Sequence, residues 1–269
     1  MPFRRGGCFL SHWDSYAPHW DKVSAPLRPT KEVAEAIAAL ADPGLRPVLQ
    51  LGVTPELAAQ FDRLDMVDRS RGMIASLWPG DTPSRRAICA DWFDAAVPNG
   101  HYRAVVGDGS LNALDSRTAL ERFLKRVADL LEPEGRFVCR VFARPSPTFS
   151  IDDLTAVASG SRSLNFGAFK WMLAMNRVEE GDMAIATARL RARFDAMFPN
   201  RTALATATGW PLAQIDTIDV YRGSKDIYIF PSRTELIAAT PHGFNMTFHE
   251  CGGYDLSECC PLLVMERSD

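Results

Sequence analysis

The sequence predicts an α/β fold, a doubly wound and mostly parallel sheet with helices on both faces. Three observations carry this expectation. Short β-rich runs alternate with longer stretches of helical periodicity. The strand candidates are near-continuous apolar runs, as strands covered on both faces require. Three of the first four strands end at or beside a carboxylate, on the rim where open parallel sheets bind ligands.

The elements follow in order. Residues 31–41 place Val33, Ile37 and Leu40 on one helical face, and Pro43-Gly44 ends that helix. A short apolar strand spans 48–51. Thr54-Pro55-Glu56 predicts a helix start, with Thr54 as the cap, Pro55 at the first helical position and Glu56 at the positive end of the dipole. The second strand, 65–67, ends at Asp68. Residues 70–77 read as a helix, and 87–90 as a third strand ending at Asp91. The fourth strand, 102–106, runs into Gly107-Asp108-Gly109. Within 117–131, Leu120, Phe123, Leu124, Val127, Leu130 and Leu131 follow the i, i+3, i+4, i+7 pattern of an amphipathic helix. Pro133 and Gly135 break it before a fifth strand at 136–142. The crossovers are expected to be right-handed.

From 147 to 225 the pattern turns helical, with candidates at 151–158, 164–176, 183–198 and 211–222. Ser232-Arg233-Thr234-Glu235 then forms a capping box that opens a short helix. Residues 246–250 and 262–266 read as two closing strands, a hairpin at the sheet edge. The expected organisation is an N-terminal helical lid and first helix (1–46), a nucleotide-binding core (47–146), a mostly helical insertion or cap shaping the substrate site (147–225), and a closing helix with two strands (226–269).

Composition narrows the function. The 269 residues are 46% hydrophobic with a formal net charge of −3, which suits a large buried core and excludes global disorder. Such a charge supplies no basic field for phosphates, so nucleic acid is a disfavoured partner. No apolar run reaches the roughly 18 residues that a membrane crossing needs. Arg4-Arg5 is followed by no apolar signal core, so export is not expected and the cytoplasm is the default. Six cysteines in a chain of this length do not make a disulfide framework; Cys89 and Cys139 read as small core residues. Cys251, Cys259 and Cys260 near His249 match no metal-ligand spacing, so no metal is expected.

Candidate binding residues lie just past each strand: Gly52, then Asp68, then Asp91-Trp92, then Asp108 and Ser110. Asp68 stands about one turn-helix-strand step beyond Gly52, where a carboxylate can accept both ribose hydroxyls. Asp91 can accept an amine proton such as that of an adenine edge, and Trp92 offers a flat apolar face. Each also has a plainer reading, as a solvated strand end, a cap or a core ring. Arg140, a cation inside an apolar strand, either pairs internally with Asp108 or reaches an anionic substrate, and internal pairing is favoured. His12, His19 and His101 are the histidines placed nearest the cleft, without a catalytic motif around any of them.

At this point a family emerges. The ordered set VLQLG, MVDRSRGMI, ADWFD, VVGDGSLNAL and LLEPEGRFVCRVF resembles the class I S-adenosylmethionine-dependent methyltransferases, a Rossmann-like fold with a seven-stranded sheet. The leader WDSYAPHWD (13–21) looks like the aromatic and acidic helix that covers the cofactor in many of them, and the tail looks like their closing strands. The resemblance implies S-adenosyl-L-methionine as cofactor, held by Gly52, Asp68, Asp91 and Trp92, with Asp108, Tyr16 and Trp20 toward the methionine end. The acidic balance and the lack of a basic stripe favour a small-molecule acceptor, with His19, Ser110 and Arg140 as candidate contacts. One departure stands out: Gln50 occupies the usual acidic position, and Val53-Thr54-Pro55 replaces the glycine-rich turn. A nicotinamide dehydrogenase is a poorer match, because its Gly-x-Gly-x-x-Gly run is absent after the first strand. A cofactor-binding protein without catalysis and an aminopropyl transferase remain as alternatives.

Overall fold

The computed structural model describes residue 13, residues 17–176 and residues 183–268, except for the side chains of His19 and Lys22. Its strands are β1 (Val48–Leu51), β2 (Leu64–Asp68), β3 (Arg85–Cys89), β4 (Tyr102–Asp108), β5 (Leu131–Arg140), β6 (Ala184–Ala186), β7 (Ile227–Ile229), β8 (Phe244–His249) and β9 (Leu262–Arg267). Seven of them form one sheet in the order β3-β2-β1-β4-β5-β9-β8. β1 to β5 run parallel, and β9 lies antiparallel to both β5 and β8. This is the doubly wound, mostly parallel sheet that the sequence predicts, closed by the expected antiparallel pair. Strand order reverses between β1 and β4, the switch point at which open α/β sheets bind ligands.

The helices are α1 (Lys31–Ala41), α2 (Pro55–Ala58), α3 (Arg71–Leu77), α4 (Arg117–Leu130), α5 (Ile151–Ala158), α6 (Phe166–Met175), α7 (Thr187–Met197), α8 (Arg201–Thr208), α9 (Leu212–Ile215) and α10 (Arg233–Ala238). Strand alternation sorts the core into two layers. Val48, Ala104, Val106 and Val138 pack with Val33 and Ile37 of α1 and Leu57 of α2. Leu49, Val105 and Phe137 face the other way, in one cluster with Leu120, Phe123 and Val127 of α4. Each such fully buried side chain contributes about 1.5–3 kcal/mol relative to exposure. Side-chain caps from Thr30, Ser70 and Ser116 start α1, α3 and α4, and the Ser232–Glu235 capping box starts α10 as expected.

Several expectations need correction. Thr54 sits at the cap position of α2, but its hydroxyl makes no capping bond; the single turn is closed by the Ala58 N–H on the Thr54 carbonyl (2.9 Å). β5 begins at Leu131, and its pairing with β4 slips between Tyr102 and Ala104. Gly135 allows this, since a Cβ there would lie 2.8 Å from the Tyr102 carbonyl oxygen. The 183–198 candidate splits into β6 and α7, because β6 pairs with β7 in a small separate sheet. The 211–222 candidate is α9 followed by a 3-10 turn at Asp216–Tyr221, and α8 is an additional helix. Residues 17–22 form a 3-10 helix. Cys89 is exposed, because β3 is the edge strand; Cys139 is buried as expected. No helix among the described residues is long and apolar enough to cross a membrane.

A polar network clamps the strand starts. The Tyr102 hydroxyl donates to Asp65 Oδ2 (2.7 Å), and Arg86 donates to both Asp65 oxygens (2.7 and 2.9 Å). Burial pushes the Asp65 carboxyl up, but the Arg86 and Tyr102 bonds outweigh it and hold the group below the usual carboxylate range. A depressed native pKa stabilises the fold above the unfolded-chain value of about 3.9 and is lost as pH falls through the native value. Asp65→Asn is therefore expected to cost about 1–2 kcal/mol at neutral pH, the exposed Arg86 limiting the figure. The gap to wild type in urea unfolding should close as pH drops below about 4.

Candidate functional site

A cleft of about 360 Å³ opens at the carboxyl ends of β1 to β4, within the range of small-molecule sites. Its floor begins at the β1 exit. Gln50 is fully buried, and its Nε2 donates to the carbonyls of Gly52 (2.8 Å) and Thr54 (3.1 Å). A carboxylate cannot make these bonds, because it has only acceptors. Gly52 takes φ +93°, a left-handed conformation that a side chain disfavours. This amide brace holds a turn in which Gly52 is the one glycine.

Asp68 closes the next gap. Its Oδ2 accepts the Val53 N–H (2.9 Å) and its Oδ1 accepts the Ser70 N–H (2.7 Å). The two bonds set the plane of the carboxylate at the rim, and a carboxylate offers about four acceptor positions. Asp91 accepts the Phe93 N–H (2.9 Å), while its own carbonyl accepts from Asp94 and Ala95. Trp92 donates its indole N–H to the Val67 carbonyl (3.0 Å) and stands edge-on to Phe123 at 5.5 Å. Its ring edge lies beside Gly52, 3.8 Å from the place of a Cβ there. Core and cleft readings of Trp92 are thus both satisfied by one ring.

The β4 exit is the most constrained part. Arg140 Nε donates to Asp108 Oδ1 (2.6 Å) and Nη2 to Oδ2 (3.0 Å), with side-chain exposures of 0% and 3%. Burial pushes the Asp108 carboxyl up, the paired guanidinium opposes this, and Arg140 stays charged. Breaking such a pair from one side costs about 3–5 kcal/mol. A Cβ on Gly107 would fall 2.4 Å from the Ser110 hydroxyl, which donates to the Leu51 carbonyl (2.6 Å). Gly109 has φ +65° under Phe142. Asn112 then donates to the carbonyls of Phe142 (2.9 Å) and Ile229 (2.7 Å) and accepts from the Phe142 N–H (2.9 Å). It ties the β4 exit to the segment that follows β5 and to the small sheet.

That small sheet and α6 build the outer wall, with Trp13, Phe142, Trp171 and Tyr228 as its rings. Arg69, next to Asp68, reaches Asp226 beside β7 at 3.7 Å, so core and wall also meet across the rim. Trp20 donates its indole N–H to Glu56 Oε1 (3.2 Å), which also takes the Arg28 Nε (2.6 Å). These bonds pin Trp20 to the first turn of α2.

Of the residues expected from the sequence, Gly52, Asp68, Asp91, Trp92, Asp108, Ser110 and Trp20 all line this cleft. Three come with qualifications of role. The Asp108 carboxylate is turned onto Arg140, the Ser110 hydroxyl is committed to Leu51, and Arg140 is paired inside the core instead of reaching a substrate. His101 is a correction: it is exposed beside Tyr102 at the start of β4, the opposite end of the strand from the cleft. Tyr16, His12 and the His19 side chain lie outside the described residues. Sequence reasoning missed the Gln50 brace, Asn112, Trp171 and Tyr228. Asn112 directly follows the Gly-Asp-Gly turn, and Trp171 adjoins a lysine in an otherwise apolar run; both were legible signals of buried polarity.

No protein-family model matches the chain, and no curated protein matches it. Solved structures do. A Rhodobacter sphaeroides protein provisionally described as a Zn-dependent alcohol dehydrogenase is 14% identical, with TM-score 0.61 over 96% of this chain and 97% of that one. The CcbJ methyltransferase of Streptomyces caelestis is 16% identical, with TM-score 0.57 over 97% and 99%. The DhpI–SAH complex is 16% identical, with TM-score 0.50 over 96% and 94%. At these identities the likeness concerns the fold: this chain has the Rossmann-like class I methyltransferase fold.

The brace makes a direct prediction. Gln50→Glu sets a carboxyl oxygen against two carbonyls and should cost about 2–3 kcal/mol in chemical denaturation at neutral pH. An unchanged midpoint would show that the amide does not hold the turn.

Proposed function

We propose that the protein is an S-adenosyl-L-methionine-dependent methyltransferase acting on a small-molecule acceptor. The observation that carries this reading is the convergence of Gly52, Asp68 and Asp91 on one cleft at the switch point of this fold. The likeness to the CcbJ methyltransferase and to a complex with S-adenosylhomocysteine supports the cofactor.

The residues present fit such a group. Gly52 lets the backbone approach closely, and its left-handed φ is one that a side chain disfavours. Asp68, oriented by two backbone N–H groups, would accept the ribose hydroxyls. Asp91 would accept the adenine amine, with Trp92 packing on the base. Around the methionine end the turn offers few donors, since the Val53 N–H is spent on Asp68 and Pro55 has none.

When bound, the cofactor supplies a methyl group on a positively charged sulfur, a good leaving group. The protein's work is then to align the acceptor and to exclude water. The β4 exit turn fixes the floor, Trp20 and its Glu56 partner fix the lid side, and α6 with β7 closes the far side. The enclosed volume of about 360 Å³ and the net charge of −3 favour a small molecule over a nucleic acid.

Calorimetric titration with S-adenosylmethionine and S-adenosylhomocysteine tests the reading. Both should bind at one site per chain. Asp68→Asn should weaken both by about 10–100-fold, the worth of a lost charged hydrogen-bond acceptor, with secondary structure unchanged by circular dichroism. A folded protein that binds neither would refute the assignment.

A further inference from the structure

The outer lip of the cleft is carried by residues 225–228, which lead into and along β7. Contacts to the sheet core at the two ends of this segment differ in kind. At the inner end Asn112 Nδ2 donates to the Ile229 carbonyl (2.7 Å), and both residues are buried. At the outer end Arg69 Nη2 lies 3.7 Å from Asp226 Oδ1, and the Arg69 side chain is 58% exposed. Arg69 stands at the β2 exit and Asp226 ahead of β7, and both line the cleft, so the ion pair crosses its mouth.

Both partners are held from behind. The Ser224 hydroxyl donates to Asp226 Oδ2 (3.2 Å). The Asp226 carbonyl accepts the N–H and the hydroxyl of Thr187, a fully buried residue that opens α7 (both 3.0 Å). Arg69 follows Asp68, whose carboxylate is set by the N–H groups of Val53 and Ser70. The backbone is thus fixed on each side, and the long Arg69 side chain is the adjustable part. Lys225 and Ile227 line the cleft on either side of Asp226, so a swing of Asp226 carries the lip with it. Ile227 and Tyr228 pair with Ala186 and Ile185, so β6 travels with β7.

The two ends respond differently to solvent. An exposed ion pair shifts an equilibrium by no more than about fivefold, and salt screens it. A buried amide-to-carbonyl bond is not screened. The segment is therefore tied at Ile229 and latched at Asp226.

We propose that Arg69 and Asp226 form a salt-sensitive latch over the mouth of the cleft. When it opens, the lip swings outward about the Asn112–Ile229 tie, and the frequency of opening sets how fast a ligand passes. The latch acts on passage and not on bound contacts, so it changes entry and release together. That the ligand is a methyl-donor cofactor rests on the methyltransferase reading; the latch itself does not.

The test uses the full chain, first without any cofactor. The backbone ¹H–¹⁵N resonances of residues 225–228 report the lip, and the Asn112 side-chain amide reports the tie. Raising sodium chloride from about 0.02 M to about 0.5 M shortens the screening length from roughly 20 Å to roughly 4 Å. The lip resonances should move with salt. Arg69→Gln at low salt should move them along the same line and abolish their salt response, whereas Arg69→Lys should keep it. The Asn112 resonances should stay in place throughout. Acrylamide quenching of the cleft tryptophans measures passage and should rise in parallel. Arg69 is exposed, so neither variant threatens the fold.

S-adenosylhomocysteine is then followed by stopped-flow fluorescence of Trp20 and Trp92, which line the cleft. Association and release should both rise about two- to fivefold in Arg69→Gln, and in wild type at high salt, with the dissociation constant unchanged within about twofold. Lip resonances that ignore both salt and Arg69→Gln would overturn the proposal, as would unchanged passage rates. Faster release with weaker binding and unchanged association would also overturn it, because Arg69 would then be touching the ligand. A chain that meets the resonance and quenching expectations but binds no S-adenosylhomocysteine keeps the latch and loses the methyltransferase reading.

Discussion

Asp108 and Arg140 are a buried ion pair at the point where two central strands leave the sheet. The carboxylate ends β4 and the guanidinium ends β5, adjacent in register, and neither has solvent to fall back on. Desolvating both charges is tolerable only because two hydrogen bonds and the rings of Phe142 and Tyr254 surround the guanidinium. That demand fixes the relative height of the two strands. It also fixes the turn Gly107–Ser110, where a Cβ on either glycine would strike Ser110 or Phe142. The turn also presents Ser110 to β1, and Asn112 to Phe142 just beyond β5 and to β7. The cleft floor and the foot of the aromatic wall are thus held from one internal contact, which explains why a charge sits among the fully buried residues that end β5.

A second constraint operates at β1. A glycine-rich turn can follow a ligand by backbone freedom. Here only Gly52 keeps that freedom, and the fully buried Gln50 replaces flexibility with hydrogen bonds. The exchange is physically coherent. Val53-Thr54-Pro55 is stiff, so the carbonyls of the turn need a fixed donor, and an amide supplies one where the usual carboxylate would not. The cost is fewer backbone N–H groups toward the cleft. A cofactor in this site would depend more on Asp68, Asp91 and the lid than on the turn itself.

Much of this was legible in the sequence for local reasons. Strands β1 to β4 and their terminal carboxylates follow from apolar runs bounded by Asp or Gly. Helices α1 and α4 follow from period, and α10 from its capping box. What escaped depends on tertiary neighbours. β6 and β7 are three residues each and gain their identity only by pairing across some forty positions. Cys89 is exposed because β3 has no outer neighbour, a fact of sheet order and not of the Ala-Ile-Cys-Ala run. His101 precedes β4 instead of following it, so strand polarity carries it away from the cleft. The Arg140 pairing was foreseeable because a buried cation needs a partner, whereas the Arg69–Asp226 contact joins distant positions and emerges only with the fold.

The strand ends of one sheet and the aromatic wall facing them line a single cleft, and together they would hold cofactor and acceptor. A crystal structure of the protein with S-adenosylhomocysteine tests this most directly. In that complex the ribose hydroxyls should lie within hydrogen-bonding distance of Asp68, the adenine between Asp91 and Trp92, and the sulfur toward the wall of Phe142 and Trp171. Adenine seated among Phe142, Trp171 and Tyr228, or a ligand bound away from Asp68, would contradict it.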